Sequence, residues 1–196
     1  MSGRDSVNPS ATPSPKFTYE DFVNFPNDGK RHEIVDGEHF VTPSPDTRHQ
    51  TVSMNITVAL SQHLKTHLTG VLFAAPFDVV FSDLDVVEPD LLYISRERAS
   101  VLTDQHVRGA PDLVVEILSP GTRKTDETTK RKLYDRFGVL EYWVVDPELE
   151  TVKVYRRREG AFGRAVELGA EVEDVLTTPL LPGFSAALRE VFTPPF

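Results

Sequence analysis

The longest regular pattern of apolar positions along the chain is helical. Val52, Ile56, Leu60, Leu64 and Leu68 recur every four residues, and Gly70 follows the run. Residues spaced by four lie on one face of an α-helix. The pattern therefore predicts an amphipathic helix with one buried face, which ends before Gly70.

Shorter patterns predict the elements around this helix. Thr18 and Pro26 bound a short helical segment, and Asp36-Gly37 between two alternating runs is a strong hairpin signal. Three strands are predicted at 70–76, 77–82 and 86–95, with a turn at 83–85. Further on, the pattern predicts a helix from Thr125 or Asp126 to Gly138, a peripheral antiparallel pair at 151–158 and 164–169, and a closing helix at 185–192.

Two segments are apolar almost throughout, namely 111–120 (PDLVVEILSP) and 140–147 (LEYWVVDP). Continuous apolar runs of this length are typical of strands covered on both faces. Helix, strands, buried strand, helix and buried strand in this order predict an α/β fold. We expect one domain over residues 17–196 and a disordered N-terminal arm at 1–16, because that arm is rich in Ser and Pro.

Composition and charge exclude several classes of site. The 196 residues contain no cysteine, which excludes disulfides, thiolate metal sites and cysteine nucleophiles. The chain has no long apolar run and no apolar signal core, so a cytoplasmic protein without membrane contact is expected.

The formal net charge of −9 argues against non-specific nucleic-acid binding through many phosphate contacts. The net charge is compatible with a nuclease that has a local basic surface, such as one formed by the six basic residues between 121 and 136.

An acidic residue interrupts the first buried strand. Because successive side chains of a strand alternate between faces, Glu116 shares its face with Asp112 and Val114. Asp90 follows Pro89 where another strand begins. If the two strands are neighbours, Asp90 and Glu116 converge at one end of a sheet. Paired carboxylates suit Mg²⁺ or Mn²⁺, and such an ion activates water and polarises phosphate.

A lysine that stabilises charge beside this pair is available on the following helix, at Lys130, with Tyr134 on the same helical face. Structural roles explain the same acids equally well. A buried glutamate can accept backbone amides or pair with an arginine, and an aspartate after proline is typical of a turn.

The sequence pieces RHEIVDGE, EPDLLYI and PDLVVEILSPGTRKTDETTKRKLYDRFGVLEYWVVDP together resemble the Uma-type restriction endonuclease family of the PD-(D/E)XK nuclease superfamily. The resemblance covers roughly residues 17–158. It implies a restriction-endonuclease-like fold, with a central mixed β-sheet flanked by helices and a magnesium site at the sheet edge. It also implies that Asp90, Glu116 and Glu33 bind the metal.

The chain departs from the superfamily pattern at one position. The pattern places a lysine two residues after Glu116, where this chain has Leu118. The resemblance implies that Lys130 takes the catalytic role instead, with Lys132 as the less favoured substitute. His49 and Asp112 are weaker candidates, for substrate or metal contact and for an outer ligand. Ser119 lacks the surroundings of a nucleophilic serine.

The sequence therefore supports three hypotheses. The first is a magnesium-dependent endonuclease that cuts DNA, with a possible homodimer to cut both strands. The second is an inactive nucleic-acid-binding module on the same fold. The third is a protein-interaction subunit in which the acids serve the fold alone.

Overall fold

The computed structural model describes residues 15–194. Four α-helices lie in this range, at α1 (Tyr19–Phe22), α2 (Thr47–Thr66), α3 (Arg131–Phe137) and α4 (Leu188–Val191). A 3₁₀-helix spans Arg96–Val101, and a π-helical segment spans Thr125–Lys130. The strands are β1 (Arg31–Val35), β2 (Glu38–Thr42), β3 (Gly70–Ala74), β4 (Val79–Ser82), β5 (Asp85–Val87), β6 (Leu91–Ser95), β7 (Val107–Arg108), β8 (Leu113–Ile117), β9 (Glu141–Asp146), β10 (Thr151–Arg158), β11 (Ala161–Phe162), β12 (Val166–Gly169), β13 (Val175–Leu176) and β14 (Ala186–Ala187).

The larger sheet has the strand order β11-β10-β9-β8-β6-β3, and β12 also pairs with β10. Strands β8 and β9 are parallel, and β6 runs antiparallel to β8. The two apolar segments of the sequence are thus the central strands β8 and β9, as their composition predicts. The predicted pair of β10 and β12 is confirmed, but β10 also pairs with β9 and so extends the main sheet.

A second, five-stranded sheet has the order β2-β1-β5-β4-β7. The sequence predicts one strand over 86–95, whereas the structure divides this segment between the two sheets. Residues 85–87 form β5 of the small sheet, and residues 91–95 form β6 of the large sheet. Glu88 and Pro89 lie at the crossing, where the proline cannot donate a hydrogen bond to a continuous ladder.

The core has two layers, one on each face of the large sheet. On one face, Val52, Ile56 and Leu60 of α2 pack against the strands. On the other face, the small sheet and α3 pack against residues such as Val114 and Tyr142. The alternation predicted for β8 is therefore observed, because Val114 and its neighbour Val115 face opposite layers. An α/β fold is confirmed.

Several predicted helix boundaries are wrong. Helix α2 ends at Thr66, and Leu68 is exposed beyond it. Gly70 begins β3, where an added Cβ would lie 2.2 Å from the Ile94 carbonyl oxygen, so the glycine permits close strand pairing. The helix predicted from Thr125 contains a π-helical segment before α3. The closing helix is a single turn, α4, that follows β14.

Residues 1–14, most of the predicted arm, lie outside the described residues, so the division into arm and domain stays a prediction. Within residues 15–194, none of the helices combines the length and the apolar character needed to cross a membrane.

Candidate active site

Two strand ends place two acids together. Leu91 of β6 pairs with Val115 of β8, so Asp90 lies beside Glu116 at the same end of the large sheet. Glu116 belongs to β8 and is 2% exposed. Asp90 precedes β6, and its Oδ2 accepts a hydrogen bond of 2.8 Å from the Ile117 amide. The convergence predicted from strand alternation is therefore present in the fold.

Lys130 connects three carboxylates. Its Nζ lies 2.8 Å from Glu33 Oε1, 3.0 Å from Glu116 Oε1 and 3.6 Å from Asp126 Oδ1. Glu33 comes from β1 of the small sheet, and Glu116 comes from the large sheet. The lysine is 3% exposed. The only lysine in this cluster therefore ties the two sheets together through ion pairs.

The π-helical segment supplies both Asp126 and Lys130, which lie four residues apart. Each of its turns contains more residues than an α-helical turn, and such turns are frequent at functional sites. The loop before this helical stretch is fixed at Ser119, whose amide and hydroxyl contact Thr122 Oγ1. The segment ends at α3, where the Tyr134 hydroxyl donates a hydrogen bond of 2.5 Å to Glu116 Oε1.

Asp90 has a separate set of partners. Both terminal nitrogens of Arg31 donate to Asp90 Oδ1 at 3.0 Å, and His49 Nε2 lies 3.1 Å from Oδ2. Arg31 is two residues before Glu33 on β1, so both side chains lie on the same face of the small sheet. His49 lies in the first turn of α2, which Asp46 caps by accepting from the His49 amide.

The charges of this cluster are unbalanced. Four buried acids, Glu33, Asp90, Glu116 and Asp126, face two cations, Lys130 and Arg31. Burial and the neighbouring acids raise the pKa of Glu116 to about 8, although Lys130 opposes the shift. Burial raises the pKa of Asp126 to about 6 in the same way.

Asp90 and Lys130 remain ionised in this environment. Burial alone would raise the pKa of Asp90, but the hydrogen bond from His49 and the charge of Arg31 lower it to about 2. Burial alone would lower the pKa of Lys130, but the surrounding carboxylates raise it far above its usual value. The lysine is therefore a permanent cation and hydrogen-bond donor.

The excess of acid predicts a pH-dependent effect of Asp126→Asn. The folded-state pKa of Asp126 lies above its ordinary value of 3.8, so its stabilising proton is lost as the pH rises through about 6. Asparagine mimics the protonated form. We expect the variant to melt at a higher temperature than wild type at pH 8 and at nearly the same temperature at about pH 3, below the ordinary pKa of 3.8, where the carboxyl is protonated in the folded and the unfolded state alike. Thermal unfolding at both pH values measures this, and an equal shift at both would contradict it.

The cluster opens into a cleft of about 210 Å³, whose walls include Asp90, Glu116 and Asp126. Asp126 Oδ1 is buried and has no hydrogen-bond partner among the described residues. Within residues 15–194, no three acid or histidine side chains are already arranged as a metal site, because Lys130 and Arg31 lie between the acids. The donor set itself fits a hard divalent cation, since four acids beside two cations offer carboxylate oxygens and Asp126 Oδ1 accepts no hydrogen bond among the described residues.

The other candidate residues from the sequence differ in whether they join this cluster of acids. Asp112 lies at the other end of β8, where it accepts from the Ser95 amide and approaches Arg98, so it does not join the cluster. Lys132 is exposed and points away from the acids. His49 does join the cluster, through Asp90.

Much of the basic face of 121–136 is neutralised, because Arg123 pairs with Asp146 and Arg136 with Asp36 and Asp85.

Sequence reasoning missed Arg31 and Asp126. Arg31 is two residues before Glu33 on a predicted strand, and Asp126 is four residues before Lys130 on a predicted helix. Each spacing indicates that the two side chains lie on the same face. Neither signal identifies a partner on another strand. The predicted roles of Asp90, Glu116, Lys130 and Glu33 are not tested by their proximity alone.

The chain is similar to known proteins in sequence and in structure. The family model Uma2, described as "Putative restriction endonuclease", matches residues 19–189. A crystal structure from Anabaena variabilis, described as "a putative nuclease belonging to DUF820", matches with a TM-score of 0.76 and 20% identity. That match covers 90% of this chain and 97% of the other, and it confirms the restriction-endonuclease-like fold. No curated protein matches the chain.

Proposed function

Because the chain belongs to the Uma2 family of restriction endonuclease-like proteins, we propose that it hydrolyses phosphodiester bonds of DNA with a bound Mg²⁺ or Mn²⁺. The observation that supports the proposal best is the convergence of Asp90, Glu116 and Lys130 in one cleft. Two acids from neighbouring strands beside a charged lysine are the groups that metal-assisted phosphate hydrolysis requires.

In this proposal Asp90, Glu116 and Glu33 would hold the metal, and Asp126 would add Oδ1, which accepts no hydrogen bond among the described residues. When bound, a divalent cation supplies a Lewis acid that activates water and offsets charge on the phosphate. Arg31, His49 and the Ile117 amide keep the Asp90 carboxylate in place. Tyr134 donates to Glu116 and so orients it.

Lys130 acts on the phosphate in this mechanism. Its high pKa excludes a role as a general base at neutral pH, since it carries no free electron pair. Its ammonium group can donate hydrogen bonds to a phosphate oxygen or to the attacking water. To do so it would exchange part of its contact with Glu116 or Glu33, the acids that would hold the cation.

Calorimetric titration with Mg²⁺ and Mn²⁺ tests the metal site directly. We expect binding to wild type, at least about a tenfold loss of affinity in Asp90→Asn, and wild-type binding in Asp104→Asn. Asp104 is an exposed aspartate outside the cleft and is therefore a matched control.

A phosphate oxygen of the substrate can complete the coordination shell of such an ion. The titration is therefore repeated with a short DNA duplex in the cell. Absence of binding to wild type under both conditions would contradict the proposed metal site, provided that thermal unfolding shows the protein folded.

A binding module without catalysis is the second candidate function. It is favoured by one observation: Lys130 and Arg31 already form ion pairs with Glu33, Glu116 and Asp90, so these acids have partners without a metal. This candidate predicts a DNA mobility shift without cleavage, unchanged by Glu116→Gln.

A further inference from the structure

A second groove joins the cleft at Asp90. It encloses about 570 Å³, within the range of clefts that hold organic ligands. The two depressions share Arg31, His49, Asp90 and the turn 43–45 between β2 and α2. Together they form one continuous trough, and Asp90 lies where the two parts meet.

One face of α2 forms a wall of this groove. His49, Gln50, Ser53, Met54 and Thr57 all line it, with the spacing of a single helical stripe. From His49 to Thr57 the helix rises about 12 Å, at about 1.5 Å per residue. At about 3.4 Å for each stacked nucleotide, this length matches roughly three nucleotides.

The lining of the groove has polar and apolar parts, and a nucleotide also presents both kinds of surface. Asn27, Gln50 and Ser53 carry amide and hydroxyl groups, and none of these side chains has a hydrogen-bond partner among the described residues. Met54 is exposed, and Pro76 on the opposite wall adds another apolar contact. Polar groups can bind phosphate or base edges, while apolar groups cover the sugar and base faces.

Cations contribute little to the groove. Lys30 lies 3.3 Å from Asp28, and Arg31 is held by Asp90, so both positive charges already have acidic partners. A ligand bound here is therefore recognised mainly by neutral hydrogen bonds and apolar contact.

We propose that this groove binds the nucleotides of the DNA strand on one side of the phosphate that lies at Asp90 and Glu116. The inference rests on the proposed function and adds a binding surface to it. Gln50 and Ser53 contact the strand, and the turn 43–45 limits its path between the groove and the cleft.

The charge-changing variant Gln50→Glu tests whether the groove binds the DNA strand, and Gln62→Glu is its matched control. Both glutamines are exposed on α2 and both changes add one negative charge, but Gln62 lies outside the groove. Gln50 lies in the first turn of the helix, where a glutamate is well tolerated. We expect the KM for DNA cleavage to rise about tenfold in Gln50→Glu with kcat nearly unchanged, and neither to change in Gln62→Glu.

A parallel measurement separates binding from chemistry. In the Glu116→Gln background, labelled DNA should bind about tenfold more weakly when Gln50→Glu is added and equally well when Gln62→Glu is added. If wild type cleaves DNA and both glutamate variants behave alike, the groove is not the strand path and the proposed function stands. If wild type neither cleaves nor binds DNA, the proposed function itself fails, and the groove proposal fails with it.

Discussion

Replacing Glu116 with glutamine is expected to lower DNA cleavage by at least about a hundredfold while the protein stays folded. Groups that merely orient metal ligands cost about 10–100-fold in metal affinity or activity when removed, and Glu116 is proposed as a ligand itself. Glutamine keeps the shape of the side chain and can accept from Tyr134 and Lys130. Glutamine also resembles the protonated carboxyl, and the pKa of Glu116 is raised to about 8, so the melting temperature should not fall by more than a few degrees.

Glu141→Gln is the matched control for this variant. Glu141 is also a buried glutamate on a central strand, but it binds Trp143, Arg156 and Thr178 outside the cleft. We expect it to keep wild-type cleavage after correction for the folded fraction. Full activity in Glu116→Gln, with Mg²⁺ present, would exclude Glu116 as a metal ligand.

Lys130→Met should have the largest effect on stability. The lysine is the shared counterion of Glu33, Glu116 and Asp126, and its removal leaves buried acids without a partner. Breaking a buried ion pair from one side costs about 3–5 kcal/mol. For a chain of this length, that loss lowers the melting temperature by roughly 6–20 °C. Cleavage should be lost as well, even at temperatures where the variant is folded.

The loss of stability in Lys130→Met should depend on pH, and Lys132→Met provides the control. Without the lysine, the raised pKa of Glu116 and Asp126 increases further, so the folded state retains protons that the unfolded state releases. Stability then falls as the pH rises through these raised values, and the deficit should be larger at pH 8 than at pH 5. The exposed Lys132 should change stability by about 0.5 kcal/mol or less at either pH. A pH-independent deficit would show that Lys130 acts through packing rather than charge.

Local sequence patterns predicted those parts of the site that depend on strand geometry. Alternation along β8 correctly placed Val114 and Val115 in opposite layers, and Pro89 marked the start of β6 beside Asp90. Lys130 was a candidate because the helix after β8 carries it, and the family resemblance preferred it over Lys132, since its spacing from Glu116 alone does not indicate a contact across 14 residues. The central strands β8 and β9 were evident because burial on both faces makes a sequence apolar throughout.

The second sheet was not predicted for a different reason. Whether β5 and β6 form one strand or two depends on which partners they find, and β5 pairs with β1 and β4 while β6 pairs with β3 and β8. Such pairings are long-range and leave no local signal apart from Pro89. The contact of Arg31 with Asp90 joins residues 59 apart and was invisible for the same reason.

The ion pairs of Lys130 with Glu33 and Glu116 join the two sheets, and this has a consequence during synthesis of the chain. A nascent polypeptide that has formed only the small sheet holds Glu33 and Arg31, but it lacks β8 and the π-helical segment. The acids and the lysine meet only when the sheets dock, so a partly folded chain has no complete reaction centre. The hydrolytic capacity proposed here would therefore appear at the same step as the finished fold.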